Sequence, residues 1–223
     1  MEYLKSDQNK LVENIRSGNW QAVKNICNTD KHLINTYDEK HETPLMTAVW
    51  KNASNDVLSL MVDNATTENL AYENWGGKTI LHVLSWKGRE QELRQTLEKN
   101  SEDVNKITTS KRTPLHYCLH GWHSFDVHNK ITSCLIDYGA STSVLIKDKD
   151  GKTPLDLYTK NQCRKYIEAT KAQDKQELRT KLKDTCENHL FHQLLLAIKE
   201  AEKPVLTTTE GWISPGNTNT RNV

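Results

Sequence analysis

Phenylalanine is nearly missing from this chain. Two residues of 223 are Phe, against six Trp and seven Tyr. Its large aromatic side chains are therefore mostly those with a polar edge, suited to half-exposed surfaces. Only 35% of the residues are hydrophobic, so one large core would be hard to fill. A stack of small units, each burying one face against a neighbour, needs less. Neither sign of charge is in excess: 30 Lys and Arg face 29 Asp and Glu. No general field then draws the chain to nucleic acid or to an anionic membrane. Long apolar runs are missing too, and none approaches the roughly 20 residues that span a bilayer. The opening MEYLKSDQNK lacks the apolar stretch of a secretory leader. The five cysteines (Cys27, Cys118, Cys134, Cys163, Cys186) are odd in number and form no C-x-x-C. This pattern suggests reduced thiols in a cytosol-like compartment. The motifs G-x-x-x-x-G-K-[ST], G-x-G-x-x-G, H-E-x-x-H and G-x-S-x-G do not occur.

What the chain does contain is a repeat. Thr43-Pro44-Leu45-Met46, Thr79-Ile80-Leu81-His82, Thr113-Pro114-Leu115-His116 and Thr153-Pro154-Leu155-Asp156 align. A Thr hydroxyl can cap a helix start. Pro fits the first helical position, where its missing N–H costs nothing. Leu then opens a buried stripe. Gly88 follows Thr79 at the distance at which Gly18 follows Asn9, and this exposes a degenerate first unit, Leu11–Gly18, with Val23 and Ile26 on its second helix. Ile34-Asn35 and Val104-Asn105 recur in register, and Gly139-Ala140 and Asp150-Gly151 mark further turns.

These residues resemble the ankyrin repeat, whose period is about 33 residues with a T-P-L-H-x-A signature. The resemblance covers roughly residues 7–170 and implies an all-α solenoid of about five helix-turn-helix units with a helical C-terminal cap. Units are expected near 7–37, 38–73, 74–107, 108–147 and 148–170. The fourth carries extra residues, part of them in Trp122–His128 between its helices. In the family the motif His bridges neighbouring units. Residues 171–203 read as a charged helical extension with Leu178, Leu182, Cys186, Leu190, Leu194 and Ile198 on a drifting stripe. Residues 204–223 are polar and without periodicity, as in a flexible tail.

In the family, the residues seven and eight after the Thr face a concave groove shared with the hairpin tips. Here the seven-row reads Arg16, Trp50, Trp86, His120, Lys160, and the eight-row Ser17, Lys51, Lys87, Gly121, Asn161. Trp50 and Trp86, one repeat apart, are expected to stack along the groove. The tips add Tyr37, Trp75, Lys78 and Arg112. The resemblance therefore implies a partner-binding surface of Tyr37, Trp50, Lys51, Trp75, Lys78, Trp86, Lys87, Arg112 and His120. Aromatics and Arg dominate interface energetics, and the interleaved lysines suggest a partner with acidic residues beside an apolar anchor. The alternative is that both Trp pack as ordinary half-buried side chains.

Two clusters invite metal chemistry, but zinc asks for four converging ligands. Of His116, Cys118, His120, His123 and His128, the first two already belong to the repeat. Cys186, His189 and His192 offer only three. No cofactor, metal or catalytic residue is expected, and a Cys/His pair would still lack an orienting group and an oxyanion site. Gly76-Gly77-Lys78-Thr79 has the wrong spacing for a phosphate loop. Trp75, Trp86 and Trp122 beside lysines could stack bases, but the balanced charge counts against nucleic acid. The chain also looks similar to free-standing ankyrin effectors that intracellular bacteria send into host cytoplasm. The alternatives are an endogenous eukaryotic or viral ankyrin adaptor or inhibitor and, of another class, an enzyme with a C-terminal Cys/His site.

Overall fold

A computed structural model describes residues 2–121, 123–154, 156 and 157. Among the described residues every regular element is helical. The elements are α1 (Glu2–Ser17), α2 (Trp20–Thr29), α3 (Pro44–Trp50), α4 (Asn55–Asn64), the single turn α5 (Thr67–Leu70), α6 (Ile80–Lys87), α7 (Glu90–Lys99), α8 (Pro114–His120) and α9 (Phe125–Asp137). Short 3-10 turns at Lys31–Asn35, Glu102–Asn105 and Ala140–Leu145 lead out of α2, α7 and α9. The first helices α1, α3, α6 and α8 pack on one another in sequence order, and so do the second helices α2, α4, α7 and α9. The result is two layers joined by antiparallel pairs, with no strand among the described residues. The second helix of unit five, the extension 171–203 and the tail 204–223 lie outside the described residues.

The repeat residues explain why the helices begin where they do. Thr43 and Thr113 sit in extended backbone, and their hydroxyls accept the Met46 and His116 amides at 3.2 and 3.4 Å. Pro44 and Pro114 take the first helical position. The first helices of units one to three end alike. Gly18, Asn52 and Gly88 all adopt positive φ (74°, 56° and 68°). In each case the next amide reaches back to Asn14, Ala48 or Leu84 O at 2.9–3.0 Å. This left-handed cap satisfies two terminal carbonyls. Unit four departs from it: Trp122 stands at that position in the sequence, and the chain leaves α8 at Gly121 with φ −63° instead.

The buried face runs through both layers. Leu11 and Ile15 of α1 meet Leu45, Ala48 and Val49 of α3, and the pattern continues through Leu81, Leu84, Leu115 and Leu119. Each such side chain contributes about 1.5–3 kcal/mol by leaving water. The second layer adds Val23, Cys27, Val57, Leu58, Met61, Leu93, Leu97, Ile131 and Leu135.

Four hairpin tips project from the first layer and share one construction. Asp38, Asn74, Thr108 and Asp148 each donate their amide to the carbonyl four residues on, at 2.9–3.0 Å. Their side-chain oxygens accept amides of the same turn. Neighbouring tips are bonded: Thr109 N–H donates to Gly76 O and Lys149 N–H to Ser110 O, both at 3.0 Å. A Cβ on Gly77 would lie 3.1 Å from the Thr109 nitrogen, so the Gly76-Gly77 pair serves close contact between tips. The residue two before each Thr has positive φ: His41, Gly77, Lys111 and Gly151. Exposed Lys111 bears that strain without compensation from a ring stack such as His41 makes. Lys111→Gly is therefore expected to raise stability by about 0.5–1 kcal/mol in urea unfolding.

Helix α1 begins at Glu2 and is 16 residues long. One expectation needs correction. The extra length of unit four is not an insertion between its helices, because Phe125–His128 form the first turn of α9. Ser124 caps that turn by accepting the Val127 amide at 3.4 Å. Part of the surplus lengthens α9 to 13 residues, against 10 in α2, α4 and α7, and part lengthens the 3-10 turn after it to six residues, against four after α7.

Candidate functional site

The last turns of α3, α6 and α8 and the tips carry most of the sequence-selected residues. Trp50 closes α3 and packs half-buried on the core. Lys87, in the last turn of α6, lays its ammonium 5.4 Å from the Trp50 ring centroid and donates to Trp50 O (3.4 Å) and Asn52 Oδ1 (3.1 Å). Burial lowers the pKa of this ammonium, and Arg89 adds to the effect. Lys78, just before α6, reaches the same indole from the tip, with Nζ 5.9 Å from the Trp50 centroid and 5.7 Å from that of Tyr117. Lys51 is exposed at the end of α3.

Trp86 has different neighbours. Its ring stacks on His120 at 5.0 Å and meets Tyr117 edge-on at 5.8 Å. His123 Nε2–H donates to Trp86 O at 2.7 Å. The expected direct stack of Trp50 on Trp86 does not form. The ring partners of Trp50 are Lys78 and Lys87.

At the tips, Tyr37 stacks on Tyr72 (4.6 Å) and on His41 (5.2 Å), and His41 in turn leans on Trp75 (5.5 Å). The Tyr72 hydroxyl bonds His41 Nδ1 at 2.9 Å. Trp75 is 69% exposed, Tyr37 50% and Ile107 48%. Three of the most exposed large apolar side chains therefore lie along consecutive tips. Arg112, selected as a contact residue, is engaged within the protein: Nε is 2.9 Å from Asp148 and a terminal nitrogen is 3.6 Å from Asp150. Burial pulls the Asp148 carboxyl upward, but the Lys152 amide, the Arg112 guanidinium and the Asp150 amide together hold it below its ordinary pKa. Arg16 likewise pairs with Asp38 at 3.2 Å. Lys160 lies outside the described residues.

Sequence reasoning missed Tyr117, Tyr72, His41 and Ile107. Tyr117 occupies the variable place in T-P-L-H-x-A, and the row Thr47, Val83, Tyr117 read across the units would have exposed it. His41 and Tyr72 gave no signal beyond lying within a residue or two of the tips.

In the histidine-cysteine region, His116 and His128 bond within the fold. His116 Nδ1 accepts the Thr113 amide at 3.1 Å, and its Nε2–H donates to Lys152 O at 3.2 Å. His128 bonds Gly121 O at 3.2 Å. Burial pushes the Cys118 thiol up to about 12 and those of Cys27 and Cys134 to about 11, so at neutral pH these sulfurs are not nucleophilic thiolates. Among the described residues no three His, Cys, Asp or Glu converge on a metal position. Cys186, His189 and His192 lie outside them. No described helix is long and apolar enough to cross a membrane. No family model matches the chain, and no curated protein matches it.

Proposed function

We propose that this chain is a non-catalytic ankyrin-repeat module that holds a partner protein in the groove of its first helices and on its hairpin tips. The observation that carries the reading is a pair of aromatic clusters, Tyr37, Tyr72 and Trp75 at the tips and Trp50, Trp86, Tyr117 and His120 on the first helices, with Lys78 and Lys87 set among the rings of the second. Interfaces favour aromatic anchors on rigid supports. The repeated caps and tip bonds supply that rigidity. His82 and His116 support the family reading, since both bridge to the next unit as the family's motif histidine does. Asn35 and Asn105 fit it as well: they bond Asn64 O (3.3 Å) and Gly139 O (2.9 Å) of the following unit. The biological setting we favour is a bacterial effector acting on a host protein.

The test is affinity capture from host-cell lysate with wild type beside Trp50→Ala/Trp86→Ala. Circular dichroism and urea unfolding should show both chains folded. We expect a specific protein retained by wild type and reduced at least tenfold by the double variant. Equal retention would remove the groove from the site. A translocation reporter fused to residues 171–223 separates the effector from an endogenous adaptor.

A further inference from the structure

The groove face holds two ordered cations without counter-ions. Among the described residues the ion pairs join Arg16 to Asp38, Lys24 to Asp56, Arg94 to Glu90, Lys106 to Glu73, Arg112 to Asp148 and Asp150, and Lys130 to Asp126. Lys78 and Lys87 enter none of them. Their heads are held by other means: Lys78 by the Trp50 and Tyr117 rings, Lys87 by the Trp50 ring, its carbonyl and Asn52. A lysine head normally loses side-chain freedom when it meets an anion. Here much of that ordering precedes any ligand, so an arriving anion gains more of the interaction. Both heads are close to one half-buried indole, so two anions bound there would flank apolar surface.

An extended peptide provides that arrangement. Side chains at i and i+2 share one face and stand about 6.6–6.8 Å apart, a spacing that two heads sharing one ring can meet. Nucleic acid fits less well, since a base needs an open ring face. The Trp50 ring already carries ammonium groups, and Trp86 carries His120. Building on the groove reading above, we propose that the partner presents an extended acidic segment. Its carboxylates at i and i+2 pair with Lys78 and Lys87 where their heads lie over the Trp50 ring. Exposed Lys51 at the end of the same helix extends the register toward a third acid. Arg112 takes no part, because Asp148 and Asp150 occupy it.

The experiment titrates the full chain against a fluorescein-labelled octapeptide of alternating Glu and Ser, read by anisotropy. The same peptide with Gln for Glu and a thymidine octanucleotide serve as comparisons. We expect the Glu peptide to bind at least tenfold more tightly than either, and to weaken several-fold between low and physiological salt. The Lys78→Gln/Lys87→Gln variant should lose tenfold or more; Lys78→Gln alone should lose about threefold and stands in if the double variant unfolds. Equal binding of Glu and Gln peptides, tightest binding of the oligonucleotide, or unchanged binding by the folded variants overturns the proposal. A captured protein released by Trp50→Ala/Trp86→Ala but retained by Lys78→Gln/Lys87→Gln sinks the acidic-segment proposal alone. One retained by both variants sinks the groove reading itself.

Discussion

Replacing His82 by Met is expected to cost about 3 kcal/mol at neutral pH, and the deficit should shrink as the solution is acidified. His82 is fully buried between α6 and the tips of units three and four. Its Nδ1 accepts the Thr79 amide at 3.0 Å, so the proton sits on Nε2, which donates to Lys106 O at 3.1 Å and Arg112 O at 3.2 Å. Met fills a similar volume, and the repeat already tolerates it: Met46 is the residue at this place in unit two. The loss is then mainly polar. One amide and two carbonyls are deprived of a bond, each worth about 1 kcal/mol.

The pH dependence follows from the same burial. Desolvation lowers His82 from 6.5 to about 4, against the pull of its two backbone acceptors. Between those values the unfolded chain binds the proton and the folded one does not. Stability therefore falls as pH drops through this window, and it is complete above it. The full shift is worth about 3 kcal/mol. His116, also lowered by burial, acts in the same direction. Glu92, whose carboxyl burial raises, acts in the opposite one. Asp148 and Asp156, held low, add their loss only at more acid pH. The discriminating measurement is consequently the difference between wild type and His82→Met in urea unfolding across the window. The two curves should converge near pH 4.5. A constant offset would mean that His82 does not change its protonation on unfolding, and the burial argument would fail.

The residues that make the repeat legible are those with backbone duties. Thr43, Thr79 and Thr113 start helices, and Gly18 and Gly88 end them, because few side chains can do either. Asn52 ends α3 with the same left-handed geometry but escapes notice in the sequence, since Asn tolerates that region without advertising it as Gly does. The same limit hides His41 and Lys111, which stand where Gly77 and Gly151 mark the turn openly. The start of α9 is masked in the sequence by Gly121 and Trp122, which read as loop, while the real signal is Ser124 followed by Asp126 in the first turn. At the site, the repeat register points to Trp50, Lys78 and Lys87, which the structure brings together. It cannot say that the lysine heads lie over the indole, because the reach of a lysine head depends on rotamers and on the offset between successive helices. Nor can spacing separate Arg112 from the other cations. Its carboxylate, Asp148, belongs to the next tip and is 36 residues away.

Gly88→Ala is expected to destabilise the chain by about 2–4 kcal/mol, and Gly18→Ala by about 1 kcal/mol. Both glycines close a first helix with φ near +70°, so the backbone term is shared. Their surroundings differ. A Cβ on Gly18 meets nothing closer than Trp20 Nε1 at 4.0 Å. A Cβ on Gly88 would lie 2.8 Å from Val127 Cγ1 and 3.0 Å from the His123 ring. Unit four presses on that point because α9 is long and its first turn reaches back over the end of α6. The two variants compared in urea therefore isolate steric cost from backbone cost. Equal losses would show that Val127 and His123 yield freely and that the joint between units three and four is soft. The consequence for binding is just as specific. His123 donates to Trp86 O, so on the proposed reading a methyl group added at Gly88 that displaces the imidazole disturbs the support of Trp86 without touching its ring. Gly88→Ala should accordingly weaken partner retention under conditions where the chain remains folded, while Gly18→Ala leaves it unchanged.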